Sequence, residues 1–221
     1  MSERLEIGEG ARGVRTLVGR ACGLDASTLA RLRNYDEYSV EVVLRTPFDV
    51  LASRRAHGRC IRDGAVVAAR DLLEALSGPL SPTRTELEIG PAHDPSWPGS
   101  LPPREGFVLL DEIPADVVRR LSDEGRALAR QFSGPLGPPA SLLNQTVLTV
   151  EGKTPRSLPM RMIFACTSLG LVPGPGVPLS VPRHLRVSAS GRWTRIDAPF
   201  GTVYHADQSA LLMSIPATRS Q

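Results

Sequence analysis

Apolar residues in the first third of the chain recur at helical spacing, then at every second position, and then at helical spacing again. These two periods distinguish amphipathic helices from half-buried strands. In chain order they predict a short apolar segment at 5–7, a helix at 11–22, a second helix at 25–33 with Asp25 as its N-cap, a β-hairpin at 40–56 and a helix at 65–76. Glycine and proline punctuate this pattern, at Gly23 after the first helix, at Thr46-Pro47-Phe48-Asp49 within the hairpin, and at Ser77-Gly78-Pro79 after the last helix.

The next segment, 79–105, has little periodicity and is rich in proline. Such a composition predicts a linker or a long surface loop. Trp97 is the exception, because an aromatic side chain of that size is rarely left fully exposed. We expect Trp97 to attach part of this segment to a hydrophobic core.

From residue 106 onward the pattern alternates between strand and helix. It predicts a strand at 107–110, a helix at 115–132 with Pro114 in its first turn, a strand at 147–150, and a meander of strands at 185–190, 192–197 and 201–205. The predicted buried face of the long helix consists of Val117, Leu121, Leu128 and Phe132. Residues 159–170 fit a helix or a strand, and periodicity alone leaves the two open.

The predicted fold class is therefore α+β, with two small modules of helices packed on antiparallel hairpins. The modules are 1–78, a helix-helix-hairpin-helix unit, and 106–210, joined by 79–105. A Pro-Phe turn occurs in similar surroundings at Pro47-Phe48 and Pro199-Phe200, each time after a helix. Internal duplication of one helix-plus-hairpin unit explains this similarity, and chance repetition of a turn is the alternative.

Several of these segments resemble an uncharacterised family of actinobacterial conserved hypothetical proteins. The resemblance rests on 25–33, on the hairpin with Thr46-Pro47-Phe48-Asp49-Val50-Leu51, on 160–165, and on 187–193 through 198–201. It covers most of the chain and is weakest in the proline-rich middle. Because these motifs are turns and core positions, the resemblance implies an architecture and an origin, and no activity, cofactor or site.

Composition and charge restrict the functional classes only mildly. Apolar residues make up 41% and charged residues 22%, and the net charge is +3, so a globular protein is expected and the charge is weak evidence for nucleic-acid binding. Lys153 is the only lysine, and an arginine bias of this kind is typical of GC-rich genomes. There is no run of about 18 apolar residues to span a membrane and no secretory signal. The expected location is therefore cytoplasmic, without membrane contact.

The most suggestive short motif is Gly8-Glu9-Gly10-Ala11-Arg12-Gly13, a GxGxxG between an apolar segment and a helix. In a nucleotide or S-adenosylmethionine site, Gly8, Gly10 and Gly13 would let the backbone approach the ligand. The motif is weak here, because a hairpin follows instead of the parallel β-α-β rhythm that such sites require. A flexible glycine-rich entry to a helix is the favoured interpretation.

A second motif, 15–34, fits a helix-turn-helix with Gly23 in the turn. In that arrangement Ser27, Thr28, Arg31 and Arg33 would face bases and phosphates of DNA. Any corner between two helices needs the same small and apolar positions, so this interpretation also has a structural alternative.

No catalytic or metal-binding constellation is recognisable in the sequence. The four histidines are scattered, and Cys22, Cys60 and Cys166 have neither disulfide nor metal-site spacing. No cofactor is predicted. The favoured hypothesis is a non-enzymatic cytoplasmic binding or adaptor protein with an unknown protein partner. The alternatives are a DNA-binding regulator that uses 15–34 and a nucleotide- or S-adenosylmethionine-dependent enzyme that uses the loop at 8–13.

Overall fold

The computed structural model describes residues 2–81, 83, 85–132, 139–151 and 155–207. The strands in these residues are β1 (Ser2–Ile7), β2 (Leu29–Asn34), β3 (Ser39–Arg45), β4 (Leu51–Cys60), β5 (Val66–Ala68), β6 (Thr85–Pro91), β7 (Val108–Pro114), β8 (Thr146–Val150), β9 (Arg156–Pro159), β10 (His184–Ser190), β11 (Trp193–Ala198) and β12 (Gly201–Ala206). The helices are α1 (Ala11–Leu24), α2 (Ala69–Leu76), α3 (Ala115–Phe132), α4 (Ala140–Asn144) and α5 (Met160–Ser168).

Strand β4 is shared by both halves of the chain. One of its edges pairs with β3 from Leu51 to His57. The other edge is divided, because Leu51 to Ser53 pair with β12 and Gly58 to Cys60 pair with β1. The resulting ten-stranded sheet has the order β5-β2-β3-β4-β12-β11-β10-β7, with β1 and β6 attached through β4. The described pairings are antiparallel, which agrees with the predicted α+β class.

Two glycines permit the close strand contacts at β4. Gly58 has φ +146°, and a Cβ there would lie 2.0 Å from the carbonyl oxygen of Glu6 on β1. Gly201 has φ +152°, and its Cβ would lie 2.8 Å from the carbonyl oxygen of Ser53. Glycine is therefore required at both positions, because β1 and β12 approach the same edge of β4 too closely for a side chain there.

The longer helices cover one face of this sheet, which is called the helix side below. α1 packs on β4 and α2, whereas α5 packs on β12 and α3. The two pairs meet where Arg20 of α1 lies against Gly170, just beyond α5. The apolar residues of both modules form one continuous buried cluster between helices and strands, so the two predicted modules share a single core.

The opposite face, called the strand side, is partly covered by residues 97–107, called the strap. Trp97 is 8% exposed and packs on Val43 and Val66. The carbonyl oxygen of Pro102 accepts a hydrogen bond from Arg33 Nη1 at 2.7 Å. The predicted attachment of the proline-rich segment through Trp97 is thus confirmed, and the strap is held onto the sheet rather than left as a free linker.

The predicted helix at 25–33 is wrong, because residues 29–34 form strand β2. Asp25 Oδ1 accepts a bond from the Ser27 backbone N at 2.8 Å, as an N-cap would, but it closes a turn instead of starting a helix. Ala30 and Leu32 are fully buried on one face of β2. Pairing with β3 and β5 on both edges satisfies the backbone of β2 and outweighs its helical spacing.

Two further element predictions are partly wrong. The helix predicted at 65–76 begins at Ala69, since Val66–Ala68 form β5. The segment 79–105 contains strand β6, which pairs with β1 through contacts such as Leu5 opposite Leu87. Strand β6 pairs with the edge of β1 that β4 leaves free. The need of that edge for a partner strand is a long-range constraint, and the local proline content does not reveal it.

The strand and long helix predicted after residue 106 are confirmed as β7 and α3, although Pro114 ends β7 instead of entering the helix. The predicted buried face is wrong at Leu128, which is 38% exposed, and right in part at Val117 and Leu121, which are half-buried and pack against the core. The side chain of Phe132 lies outside the described part. The buried positions are instead mostly small, and they are Ala115, Val118, Ser122, Gly125 and Ala129.

The reason is the close approach of α3 to α5. A Cβ on Gly125 would lie 2.7 Å from Met160 Cε, and Ser122 Oγ lies 2.8 Å from Thr167 Oγ1. Larger residues on this face would separate the two helices. The segment 159–170, which the sequence left open, is mainly the buried helix α5, and the meander is confirmed as β10, β11 and β12.

The two Pro-Phe turns occupy equivalent places in two units of the same order, β1-α1-β2-β3-β4 and β9-α5-β10-β11-β12. Aligning the turns places Leu51 with Val203 and Ala52 with Tyr204. In the sheet Leu51 faces Tyr204 and Ala52 faces Val203, which is the pairing that a local two-fold axis would produce. Internal duplication stays a prediction, and this symmetry supports it.

Replacing Gly58 with alanine is expected to destabilise the fold, because the new Cβ would meet the β1 backbone. We expect the free energy of unfolding to fall by about 3 kcal/mol. The matched control is Gly23→Ala in α1, where a Cβ meets nothing within 4 Å and helix propensity improves by up to about 1 kcal/mol. Urea denaturation of both variants tests this, and equal stability of the two would contradict the assigned strand contact.

Candidate nucleic-acid interface

The exposed surface of α1 is basic. Arg12, Arg15 and Arg20 are all exposed, whereas Val14, Leu17, Val18 and Ala21 face the core. The helix contains no acidic residue. Along the chain, Glu9 lies two residues before α1 and the half-buried Asp25 follows its last residue, and Glu74 is exposed on α2. The solvent side of α1 therefore carries a positive charge that its own residues do not neutralise.

The helix dipole does not account for the arginine in the first turn. The first turn of α1 contains Arg12 and no acidic residue, and the N-cap, Gly10, supplies no side-chain hydrogen bond. Because the N-terminal end of a helix carries a partial positive charge, a cation there is unfavourable and an anion is favourable. Arginine is also the side chain best suited to bidentate contacts with phosphate. The helix dipole therefore does not favour Arg12 at this end of α1.

The basic surface continues into the second module at the C-terminal end of α5. Arg20 lies against Gly170 from the α1 side. From the α3 side, Arg126 Nη2 lies 3.3 Å from Thr167 Oγ1 and 3.4 Å from Ser168 Oγ. We call Arg12, Arg15, Arg20 and Arg126 the helix-side arginines. Helix α3 itself is mixed, since Asp116, Asp123 and Glu124 are also exposed.

The glycine motif lies at the entry to α1, but its geometry is not that of a nucleotide site. β1 is paired antiparallel with β4 and β6 and is not part of a parallel β-α-β unit. Gly10 has φ +89°, and its Cβ would lie 3.1 Å from Ala56 Cα. Gly13 faces the guanidinium of Arg54, and Gly8 donates a backbone bond to His57. Close packing of α1 on β4 explains Gly10 and Gly13 without a ligand.

The four residues predicted to contact DNA in a helix-turn-helix are not brought together. That arrangement is not formed, since β2 replaces its second helix. Ser27 is exposed beside Asp25, and Thr28 is only 4% exposed. Arg31 stacks near Trp97 at 5.9 Å, and Arg33 is buried.

Arg33 belongs to a buried polar network that joins the two modules. Its Nε and Nη2 donate to Glu41 Oε2 at 3.1 and 2.5 Å. The other carboxylate oxygen accepts bonds from Ser53 Oγ at 2.7 Å and from the Tyr204 hydroxyl at 3.2 Å. Burial opposes ionisation of Glu41, but the charge of Arg33 and these hydrogen bonds outweigh it, so the pKa of Glu41 is lowered. Sequence reasoning missed this network, because nothing local distinguishes Glu41 from a solvated strand residue.

The thiols are protonated at neutral pH. Burial raises the pKa of Cys60 to about 11 and that of Cys166 to about 12, so neither is a thiolate nucleophile. Among the described residues no group of three or more potential ligands is placed to hold a metal ion. In the same part of the chain, no helix has the length and apolarity to cross a membrane.

Two family models match the chain. Residues 1–99 match a domain of unknown function (DUF8010), and residues 102–210 match another domain of unknown function (DUF8185). Two consecutive domains fit a protein of two modules. No curated protein matches the sequence.

The fold is similar to that of bacterial sliding clamps. The Caulobacter crescentus polymerase III beta structure has a TM-score of 0.54 and 13% identity over 92% of this chain and 64% of that one. DNA polymerase III subunit beta of Pseudomonas aeruginosa has a TM-score of 0.55 and 13% identity, with the same coverage. A Bartonella birtlesii sliding clamp bound to griselimycin has a TM-score of 0.52 and 14% identity over 100% and 70%.

At these identities the similarity shows a shared fold. The chain spans less than two thirds of the length of the C. crescentus and P. aeruginosa proteins.

Neutralising Glu41 is expected to destabilise the junction between the modules. Glu41→Gln leaves Arg33 buried without its counter-ion, which costs about 3–5 kcal/mol of unfolding free energy. Because the folded-state pKa of Glu41 is lowered, the wild-type contribution is present above about pH 4.5, the ordinary pKa, and is lost as the pH falls below it.

Urea denaturation of both proteins between pH 7 and pH 3 measures this effect. The variant should lose less stability with acid than the wild type. The exposed Glu86→Gln variant serves as the control, since its partner Arg4 is exposed as well, and little change is expected there. Parallel acid profiles for wild type and Glu41→Gln would contradict the assignment.

Proposed function

We propose that this protein is a non-enzymatic scaffold that contacts double-stranded DNA through the helix-side arginines. The observation that carries the proposal is the surface of α1, where Arg12, Arg15 and Arg20 are exposed on a helix without an acidic residue. Such a surface neutralises phosphates and carries no means to read base edges by itself. The expected binding is therefore strongly salt-dependent and largely independent of sequence.

The fold similarity supports a DNA-related role. The similar structures are, by their descriptions, DNA polymerase sliding clamps and DNA polymerase III beta subunits. A fold is a weak guide to function when it stands alone. Here it coincides with an exposed arginine-rich surface on a helix without acidic residues, and the two observations are independent of each other.

The DNA-contacting residues proposed here differ from those of the helix-turn-helix hypothesis. Arg33 is paired with Glu41, and Arg31 lies beside Trp97. Neither guanidinium group is therefore proposed as a phosphate ligand. Arg12, Arg15 and Arg20 replace them as the proposed phosphate ligands. In a scaffold of this kind, proteins rather than cofactors are the further partners.

Replacing the three α1 arginines with glutamine is expected to weaken duplex binding. Each lost phosphate contact reduces the slope of log K against log salt by about 0.9, so the triple variant should lose about 3 units of slope. Fluorescence anisotropy with a labelled 30-base-pair duplex, measured from 25 to 200 mM salt, tests this. Circular dichroism checks that the variant remains folded.

The matched control removes three exposed arginines from the strand side, by Arg4→Gln, Arg59→Gln and Arg186→Gln. It lowers the net charge equally and should leave most of the binding intact. An equal loss in both triple variants would show that net charge alone drives binding. No binding by the wild type at 25 mM salt would refute the DNA-contact proposal itself.

We further propose that the scaffold self-associates through β7. This strand ends the ten-stranded sheet and, within the described chain, pairs with β10 alone. Val108 and Leu109 on it are 67% and 45% exposed. An edge strand with exposed apolar residues is a template for strand addition by another chain. The antiparallel β4–β12 seam offers an internal example of such pairing, and the proposed occupant is a second copy.

Light scattering after size exclusion tests the self-association. The wild type should exceed the monomer mass of 23.8 kDa at about 100 µM. Val108→Lys with Leu109→Lys should return it to the monomer. Leu179→Lys is the control, because Leu179 is 91% exposed outside the strands. A wild-type monomer at this concentration would exclude a second copy as the occupant.

A further inference from the structure

A polar cleft of about 550 Å³ opens at the seam between β4 and β12. Its volume is in the range of small-molecule sites. Residues of both modules line the cleft. Those that bear on ligand binding are Tyr35, Arg54, Arg55, Arg195, Asp197 and Phe200. Three of these are arginines and one is a carboxylate.

The cleft exists because the shared edge of β4 is not filled completely. Pairing with β12 ends at Ser53, and pairing with β1 begins at Gly58. Between these points the chain turns away through Pro199 to Gly201 on one side and through the entry to α1 on the other. The gap follows from the sheet topology, and the turn residues Tyr35, Pro199 and Phe200 complete its wall.

Among the cleft residues, Arg55 has a guanidinium group that is held in a fixed orientation and is free to bind an anion. Its guanidinium carbon lies 3.3 Å from the centroid of the Tyr35 ring. Within the described residues, the structure gives it no hydrogen bond and no carboxylate at ion-pair distance. Stacking fixes the plane of the guanidinium and leaves its N–H edge available for a bidentate acceptor.

Arg54 precedes Arg55 on β4, so its side chain leaves the helix-side face of the strand, and it has no carboxylate partner at ion-pair distance in the described chain. Its Nη1 donates to the Phe200 carbonyl at 2.8 Å, and burial lowers the pKa of this guanidinium. A Cβ on Gly13 would lie 2.3 Å from the guanidinium carbon. Glycine within a helix costs about 1 kcal/mol relative to alanine, so α1 gives up stability at this position to make room for a half-buried cation.

Arg195 faces the cleft from the second module. Its Nε lies 2.8 Å from Asp197 Oδ2 and 3.1 Å from Ser188 Oγ, and the guanidinium stacks 4.3 Å from the Phe107 centroid. Asp197 also accepts a bond from Thr202. This carboxylate therefore compensates Arg195. The charge of Arg55 contributes to the lowered pKa values of Asp36 and Glu41, but in the described residues no carboxylate lies at ion-pair distance from Arg54 or Arg55.

We infer that this cleft binds a small anion through a phosphate or carboxylate group, with Arg55 as the principal bidentate ligand. Arg54, whose side chain leaves the opposite face of β4, adds positive charge to the wall of the cleft. Arg195 is a positioning residue that holds Asp197 away from the other two arginines. The mostly polar lining favours a charged small molecule over an apolar peptide. The cleft lies at the seam of the two modules, and its occupant would contact both. The inference does not depend on DNA binding, because it uses none of the helix-side arginines.

Isothermal titration calorimetry of the full chain with sodium pyrophosphate, and separately with citrate, tests the inference. Saturable 1:1 binding of at least one of them at 50 mM salt is the expected result, and comparison of the two distinguishes a phosphate ligand from a carboxylate ligand. Arg55→Gln should weaken that binding by at least about tenfold, through the loss of a charge-assisted contact. Arg59→Gln removes an exposed arginine elsewhere on β4 and should leave the affinity unchanged.

Duplex DNA binding by the same variants separates this site from the proposed function. Arg55→Gln should bind duplex like the wild type, and the Arg12/Arg15/Arg20→Gln variant should bind pyrophosphate or citrate like the wild type. Three outcomes would overturn the inference: no saturable binding of either anion up to 10 mM, equal affinity in Arg55→Gln and wild type, or loss of anion binding in the α1 variant.

Discussion

The structure depends on the pairing of β4 with three neighbouring strands, β3, β12 and β1. A strand has two edges, and every buried backbone group on each edge needs a partner. β4 is ten residues long, so one edge can be shared between β12 and β1 while the other pairs with β3. Gly58 and Gly201 make both contacts sterically possible. Continuity of the sheet across the modules, and the cleft in the shared edge, both follow from this arrangement.

Side chains then join the halves on both faces of the sheet. On the strand side, Glu41 binds Arg33 and Tyr204. On the helix side, Arg161 of α5 is 8% exposed and donates to the Phe48 carbonyl at 2.9 Å and to Asp49 at 3.1 Å. The Arg33–Glu41 pair is buried on both sides and is therefore costly to break, whereas Asp49 is exposed and the buried Arg161 is held mainly by the Phe48 carbonyl. These contacts therefore fix the relative position of the modules, and this places α1 beside the end of α5.

The arginines acquire different roles through their surroundings. Arg33 and Arg161 are buried and paired, so they act within the fold. Arg12 and Arg15 are exposed on a helix that has no acidic residue. The composition gives only the number of arginines, which genome bias can explain. The presence or absence of a carboxylate at ion-pair distance identifies the arginines that are available to an external anion. The proposed DNA surface and the anion cleft both rest on this distinction.

The sequence by itself determined the mixed helix and strand content, the hairpin around Pro47-Phe48, the final meander and the helix α3, because these depend on local period and on glycine and proline. Only the tertiary structure decided that 29–34 is a strand, that β6 lies within the proline-rich segment, and that small residues of α3 face α5. It also decided which arginines lack a carboxylate. Strand partners, helix spacing and charge neighbours come from residues distant in sequence, and a local pattern contains no information about them.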